Sequence, residues 1–529
     1  MQKRLRNHIK NLLLPCLVFS ALAGFFSAII ITAFKLLAEW VVHVSVSVYS
    51  TVRENPEWLP MLILGAATIG LIASILLSHS HSCMGGGIPT SVVAIRGIVS
   101  FKWVASIILL PISALLTFLA GLPLGTEGPC VQMGTAIGDG VGRCVGREKH
   151  RGWRRYIMTG GAAAGFSIAT VSPISAIIFS MEEIHKRFSP LLLSVASISV
   201  MTAGLTTRVL ASLGIGDTEF FHMPTIEAIA PYLFFAPIIV GLIAGVCSIL
   251  FTRLYYVIDR LMRSLLKRLS TKIVFPVLFA ATAVTGFFLT DALGSGHSLV
   301  DALLTSGAAW YLLILIFLVR ALAMMISNVS GTTGGIFLPT LAFGAIIGAL
   351  CADAMIAIGW IPSEHYVLMV VLGIAAFLGS TSRIPLTACI FAIEALAGIN
   401  NALSVIIATT IAMLVVEVFG CEDFTDAVID AKMHKIAKGR RAVTVEVPLT
   451  VAPDSFAVGK ELYDLLWPSS CVVLSYNRAD AERDNVGICA NDVIVVHYVT
   501  YNNRKTMYEL TSLVGEQSDE IADMMDPAI

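Results

Sequence analysis

Long apolar runs recur almost from end to end of the chain, at 11–34, 61–77, 104–124, 191–213, 232–252, 274–290, 309–327 and 403–416. Most reach the ~17–25 residues that a helix needs to cross a bilayer. The pattern predicts an all-α polytopic membrane protein. The opening stretch, "MQKRLRNHIKNLLLPCLVFSALAGFF", is basic and then apolar. Its apolar part is too long for a signal peptide and meets no small-residue cleavage site, so it reads as a first membrane helix with a cytoplasmic basic flank. Past residue 440 the pattern changes. Short strand-like runs, "VTVEVPL", "SCVVLSYNR" and "DVIVVHYVT", are interleaved with a helical piece over 455–466, "SFAVGKELYDLL", and the region closes on "YELTSLVG". These runs predict a small α/β domain.

Composition agrees. The chain is 56% hydrophobic and 13% charged, where a soluble protein carries about 25% charged residues. Charge is unevenly placed: residues 441–529 hold 6 Lys and Arg against 14 Asp and Glu, and residues 1–440 hold 29 against 22. The boundary is placed near 437–445, in the basic linker "KIAKGRRAV", giving a transmembrane domain over 1–440 and a cytosolic domain over 441–529. The ten cysteines are scattered and form no CxxC pair, so no disulfide framework is indicated. His79, His81 and Cys83 in "HSHSCMGGG" have the chemistry of metal ligands but no fourth partner nearby, and a polar membrane-edge loop is the simpler reading. No cofactor, metal or nucleic-acid partner is indicated.

The chain carries an internal repeat. "AAAGFSIATVSPISAIIFSMEE" (162–183) matches "IAAFLGSTSRIPLTACIFAIEA" (374–395), pairing Pro173 with Pro385, Phe179 with Phe391 and Glu182 with Glu394. Upstream, "TEGPCVQMGTAIG" (126–138) matches "IFLPTLAFGAIIG" (336–348), pairing Pro129 with Pro339 and Gly134 with Gly344. The flanks differ in charge: "GRCVGREKHRGWRR" (142–155) has six Lys and Arg with one His, and "AIGWIPSEH" (357–365) has no Lys or Arg. Positive residues favour the cytoplasmic side, so the two copies are expected in opposite orientations. Inverted repeats of this kind build transport sites near the midplane from broken helices.

The basic run "IHKRFSP" after Glu182 and Glu183 places both acids near the inner face. Residues 156–183 then enter and leave on one side, as a re-entrant hairpin turning at "TVSP" (170–173). Glu127 is deeper. At ~1.5 Å per residue, a helix from 128 to 143 holds it ~20–24 Å from the cytoplasmic surface.

Three motifs, "GGGIP" (85–89), "GTEGP" (125–129) and "GIFLP" (335–339), set glycines beside a proline that opens an apolar helix. Proline fits the first helical turn, and glycine lets a ligand approach the backbone. A helix start presents unpaired N–H groups and the positive end of the macrodipole, an anion site that needs no buried cation. An ionised Glu127 there would compete with a passing anion and, once protonated, could swing away as gate and proton carrier. The plainer alternative is a carboxylate capping its own helix. For Glu183, the plain reading of an "EE" ending a helix is a solvated edge.

On these motifs, with "SPISAIIFSMEE" between the second and third, residues 10–440 strongly resemble the CLC family of chloride channels and proton/chloride antiporters. The resemblance implies an inverted-repeat fold with broken and re-entrant helices, and a homodimer with an anion pathway in each subunit. It implies that Glu127 is the external gating glutamate and proton acceptor, Glu183 the internal proton-transfer glutamate, and the amides of Ile336 and Phe337 anion contacts. Having both acids favours a proton-coupled antiporter of the bacterial plasma membrane over a passive gated channel. The positions of two further anion contacts fall at Gly86, where chloride-selective members have Ser, and at Thr425, where many have an inner-gate Tyr. The Arg often preceding the gating Glu is Thr126. These departures leave the choice among chloride, nitrate, bromide and other small anions open.

The tail pattern, with Gly459, Leu465 and Leu513-Val514-Gly515, resembles the TrkA-C (RCK-C) ligand-binding domain of potassium-transport regulators. That implies a cytosolic small-molecule or nucleotide ligand, with a ligand-free dimerising appendage as the alternative. No phosphate-binding glycine loop occurs in the tail. An intramembrane enzyme is disfavoured, because HExxH, GxSxG and a convergent His/Asp pair are all missing from the sequence.

Overall fold

A computed structural model describes residues 14–429, apart from 86, 98–101, 145–150, 217–218, 222, 225, 267–268 and 306. It also describes 443–515, apart from 454, 463–464, 469–470, 480–486 and 501–502. The linker in which the sequence places the domain boundary lies largely outside these residues.

Among the described residues, nine helical segments are long and apolar enough to cross a membrane, from Leu14–Glu54 to Ile399–Val418. Large apolar side chains such as Leu64 and Val277 are 69% and 63% exposed, which suits lipid and not water. The chain is a multi-pass membrane protein. The helices used below are α1 (Leu14–Glu54), α2 (Leu59–Ser78), α3 (Ile88–Ile95), α4 (Trp103–Leu119), α5 (Glu127–Cys144), α6 (Arg151–Thr170) and α7 (Pro173–Phe179). They continue as α8 (Pro190–Ser212), α9 (Phe235–Leu266), α10 (Thr271–Phe288), α11 (His297–Thr305), α12 (Trp310–Ser330), α13 (Phe337–Ala357), α14 (Tyr366–Thr381), α15 (Pro385–Ala392) and α16 (Ala402–Val418).

The repeat is a structural one, and its contacts are reciprocal. In a two-fold arrangement, a contact between i and j is matched by one between their equivalents. Gly85 N–H donates to Gly331 O at 2.8 Å, and Gly294 N–H donates to Gly121 O at 3.0 Å; the four residues form two equivalent pairs 209–210 positions apart. Gly125 and Gly335 meet each other, exchanging N–H···O bonds of 2.8 and 2.7 Å as an isolated antiparallel bridge. The chain therefore runs through these equivalent glycines in opposite directions, and α5 and α13 leave them oppositely. This is the inverted topology that the flanking charges predict.

Local backbone geometry repeats as well. The bends before α7 and α15 turn at Val171 and Arg383, with φ of 51° and 50°, left-handed values uncommon for side-chain-bearing residues. Both short helices then start on a proline and widen into a π-helical turn, over Ser180–His185 and Ile393–Ala397. Where the sequence predicts a hairpin over 156–183, the chain forms α6, a tight bend and the short α7 with its π-helical turn. Helix pairs α5/α6 and α13/α14 cross where Gly134 meets Gly161 and Gly344 meets Gly373, with no space at either crossing for a methyl group.

Beyond residue 442, β1 (Val443–Thr450), β2 (Cys471–Asn477) and β3 (Val493–Thr500) form an antiparallel sheet in the order β1-β3-β2, with α17 (Asn503–Val514). The helix expected over 455–466 is not formed by its described residues, which make turns. Their amides bond elsewhere: Ala457 N–H to Leu513 O at 3.0 Å and Gly459 N–H to Ile488 O at 2.8 Å, with Gly459 at φ 81°. The tail is seated on the helices. Val447, Phe456, Leu465 and Leu513 share one apolar cluster with Cys16, Trp153, Tyr156, Leu191 and Leu192. Arg155 pairs with Glu509 and donates to Leu466 O at 2.8 Å.

Candidate functional site

The three glycine motifs converge. A methyl group on Gly128 would lie 2.7 Å from the Gly335 Cα and 3.2 Å from the Gly87 Cα, and one on Gly87 would lie 2.8 Å from the Gly128 Cα. Only glycine fits all three positions. The starts of α3, α5 and α13 therefore meet at one place inside the protein. Each leaves its first-turn N–H groups without helical acceptors, so positive dipole ends gather at one place.

Glu127 stands at this convergence with no exposed surface. One carboxylate oxygen, Oε1, accepts from Thr126 Oγ1 at 3.2 Å. The other, Oε2, is enclosed and takes no hydrogen bond. It lies against Gly125 beside Leu338, since a methyl on Gly125 would meet both Oε2 and the Leu338 Cβ. The carboxyl group thus reaches from its own helix to the first turn of α13. Among the described residues no Lys or Arg pairs with it. A carboxylate held this way is stable only while helix ends face it or a proton neutralises it.

Ile336 and Phe337 form the lip of α13 and are 8% and 5% exposed. The Phe337 ring is edge-on to Phe166 and Phe391, at 5.0 and 5.7 Å between centroids, which fixes the helix start in an aromatic wall. Gly86 lies outside the described residues. Its neighbour Gly87 donates its N–H to Gln132 Oε1 at 2.8 Å, and Gln132 Nε2 donates to Ser82 O at 2.9 Å. Gln132, fully buried on α5, thereby ties the starts of α3 and α5 together; the sequence reading passed it over.

Glu182 and Glu183 are not a solvated edge. Glu182 accepts from Leu386 N–H (3.0 Å), Thr387 N–H (2.7 Å) and Thr387 Oγ1 (2.7 Å), capping α15. Its repeat partner Glu394 accepts from Ile174 N–H at 3.1 Å and Ser175 N–H at 3.0 Å, capping α7. Glu183 is turned the other way and is 3% exposed, with Oε2 enclosed and lacking a hydrogen bond. The buried Thr425 hydroxyl faces it, and Lys186, Asp423 and Asp426 surround it. Glu127 and Glu183 thus occupy separate settings. Thr425 belongs to the second, alongside Glu183.

A fourth glycine motif, "GSGHS" (294–298), is the repeat counterpart of "GGGIP". Gly294 and Gly296 have φ of 64° and 100°, as Gly85 and Gly87 have 55° and 131°. It opens α11 with His297, whose ring stacks on Phe221 at 4.6 Å and lies close enough to influence the charge on Glu127. Its nitrogens face Phe220 O at 2.7 Å and Asp301 Oδ2 at 3.1 Å. The spacing of 209 positions was the available signal for this motif.

Comparison with known proteins places these features in context. Residues 69–417 match the model of the voltage gated chloride channel family. The chain is 25% identical over 403 residues to the H(+)/Cl(-) exchange transporter ClcA of Vibrio cholerae, covering 74% of this chain and 83% of that one. It is also 25% identical over 436 residues to ClcA of Cronobacter sakazakii, covering 81% and 92%. Among solved structures, a slow cyanobacterial Cl-/H+ antiporter superposes with a TM-score of 0.71 at 23% identity, over 80% of this chain and 99% of that one. A CLC-type fluoride/proton antiporter gives 0.63 at 22% identity, over 76% and 95%.

Proposed function

The chain belongs to the voltage gated chloride channel family, and from that premise we propose that it exchanges chloride or a similar small anion for H+ across the membrane. One observation carries this reading: the Glu127 carboxyl, buried and with one oxygen unpartnered, sits where three helix starts converge. Ionised, it fills the place a permeant anion would take, held by the same dipoles. Protonated, it loses that attraction and can leave, so anion entry and proton uptake alternate at one point. The relatives named as H(+)/Cl(-) exchangers support the same reading.

In this proposal Glu127 is the gate and external proton acceptor, and Glu183 transfers protons on the inner side. Ile336 and Phe337 supply main-chain N–H groups to the anion, with Gly86 and Thr425 lining its route. The serine hydroxyl is missing at Gly86, the inner-gate tyrosine is replaced by the shorter Thr425, and the arginine before the gate is replaced by the uncharged Thr126. Anion binding is therefore weaker and less selective than a chloride-dedicated site would be. The protein works as a homodimer in the bacterial plasma membrane, with residues 1–440 as transport domain. Residues 441–529 are a cytosolic TrkA-C-like domain that takes a small-molecule or nucleotide ligand. The protein is a transporter and carries out no chemical conversion, as its relatives' names also indicate.

The test is reconstitution of the full chain in liposomes, with proton and anion fluxes recorded together across several anions. An anion gradient should drive protons uphill. Anion flux without proton movement would identify a passive channel in which Glu127 only gates.

A further inference from the structure

Three acids and one lysine meet at the inner end of the protein. Lys186 follows the π-helical turn that carries Glu183 and holds φ of 50°, which aims its side chain across to the segment after α16. There its Nζ donates to Asp423 Oδ2 at 2.9 Å and to Asp426 Oδ2 at 2.5 Å. Asp423 is buried, its side chain 4% exposed, whereas the Asp426 and Lys186 side chains are 46% and 40% exposed. The Asp423 Oδ1 accepts from Thr425 N–H at 2.8 Å, and the Thr425 hydroxyl faces Glu183. The cluster thus grades from a half-exposed carboxylate, through an ammonium, to a buried carboxylate, and then to a buried acid with an unpartnered oxygen.

The other candidate for an inner proton entry is occupied. Glu182, adjacent in sequence to Glu183, spends both oxygens on the amides of α15. Protonating it would uncap that helix, an unfavourable use of a carrier. The remaining charged groups nearby are engaged too. Arg96 donates to Ile184 O at 3.0 Å and Glu183 O at 3.5 Å, and His185 hydrogen-bonds Thr159 Oγ1 at 2.8 Å.

We propose that Asp426 and Asp423, bridged by Lys186, form the route by which cytosolic protons reach Glu183. This rests on the antiport reading above. Asp426 takes a proton from cytosolic water. The Lys186 ammonium then passes one of its protons to Asp423 as it accepts the incoming one from Asp426, so the nitrogen keeps its charge and Asp426 is again a carboxylate. Asp423 gives its proton to the Glu183 carboxylate and is itself left ionised. One proton enters, one arrives, and the cluster returns to its starting charge. Burial, opposed by Lys186, holds the Asp423 carboxyl above its ordinary value, which eases the transient protonation the route requires.

The test compares Asp423→Asn, Asp423→Glu and Asp426→Asn in the full chain reconstituted in liposomes, with chloride as the anion. Asparagine keeps the size and one acceptor oxygen, enough for either Lys186 or the Thr425 amide, and has no titratable proton to pass on. Asp423→Asn should lower the protons moved per chloride about tenfold or more, Asp426→Asn should lower it less, and Asp423→Glu should restore it. An unchanged ratio in Asp423→Asn would overturn the proposal, as would equal loss of both fluxes, which would mark the cluster as an ionic clasp only. A wild-type protein that moves chloride without protons would instead defeat the antiport reading on which the route depends.

Discussion

Glu182 and Glu394 occupy equivalent places in the two repeats, and each closes the first turn of the helix that belongs to the other. Glu182 holds the Leu386 and Thr387 amides, and Glu394 holds those of Ile174 and Ser175. The two halves are thus fastened by the same bond made twice. Capping of this kind is worth about 1–2 kcal/mol per end. Glu182→Ala and Glu394→Ala should each lower the thermal stability of the purified protein by a comparable amount. A large loss from one and none from the other would break the equivalence.

Glu127→Gln removes the charge that the proposed mechanism sets against the permeant anion while keeping the size of the side chain. In the wild type, anion flux should rise as pH falls, because protonation vacates the site. In the variant that dependence should vanish and proton movement should stop. Flux recordings in liposomes over a series of pH values would show it, and a variant that still couples protons would remove Glu127 from its assigned role.

Glu183→Gln should reduce proton movement while anions continue to pass, because the acid lies beside Thr425 and Asp423 and away from the helix starts around Glu127. The readout is the ratio of the two fluxes in one vesicle preparation. Loss of both together would show that the residue supports the fold of the inner end.

Gly128→Ala places a methyl group 2.7 Å from the Gly335 Cα. Backbone has no rotamer with which to yield, so the three helix starts must separate. A destabilisation of about 1–3 kcal/mol is expected, with anion flux falling further than the lost folded fraction explains. Normal flux at normal stability would mean that the glycines only pack.

Gly86→Ser should shift the selectivity series towards chloride by returning a hydroxyl donor to the anion's surroundings. Competition between chloride and nitrate in the flux assay measures the shift. An unchanged series would separate position 86 from the anion route.

Much of the convergence of helix starts was legible in the sequence, because it is made of backbone. A glycine that must touch another backbone and a proline that must open a helix leave little choice of residue, so three motifs and one repeat led to Glu127, Ile336 and Phe337. The fourth motif escaped because Gly294 and Gly296 precede a histidine and serine where Gly85 and Gly87 precede isoleucine and proline. Only the family resemblance separated Glu183 from Glu182 in the sequence, because no local pattern does; a π-helical turn sends the adjacent side chains to different neighbours. Gln132 and the Lys186 bridge act between segments 45 and 237 or more residues apart, and no local pattern encodes such distances. In the tail, the helical pattern over 455–466 lost to amides drawn away by Leu513 and Ile488.

The shared apolar cluster has a bearing on how the C-terminal region should be treated in the laboratory. Trp153, Tyr156, Leu191 and Leu192 are covered by Phe456, Leu465 and their neighbours. Truncation after residue 442 would strip an oily floor bare and leave Arg155 without its acidic mate. A shortened protein that clumps or turns sluggish would then report this wound, and point changes inside the sheet are the cleaner way to ask what the tail contributes.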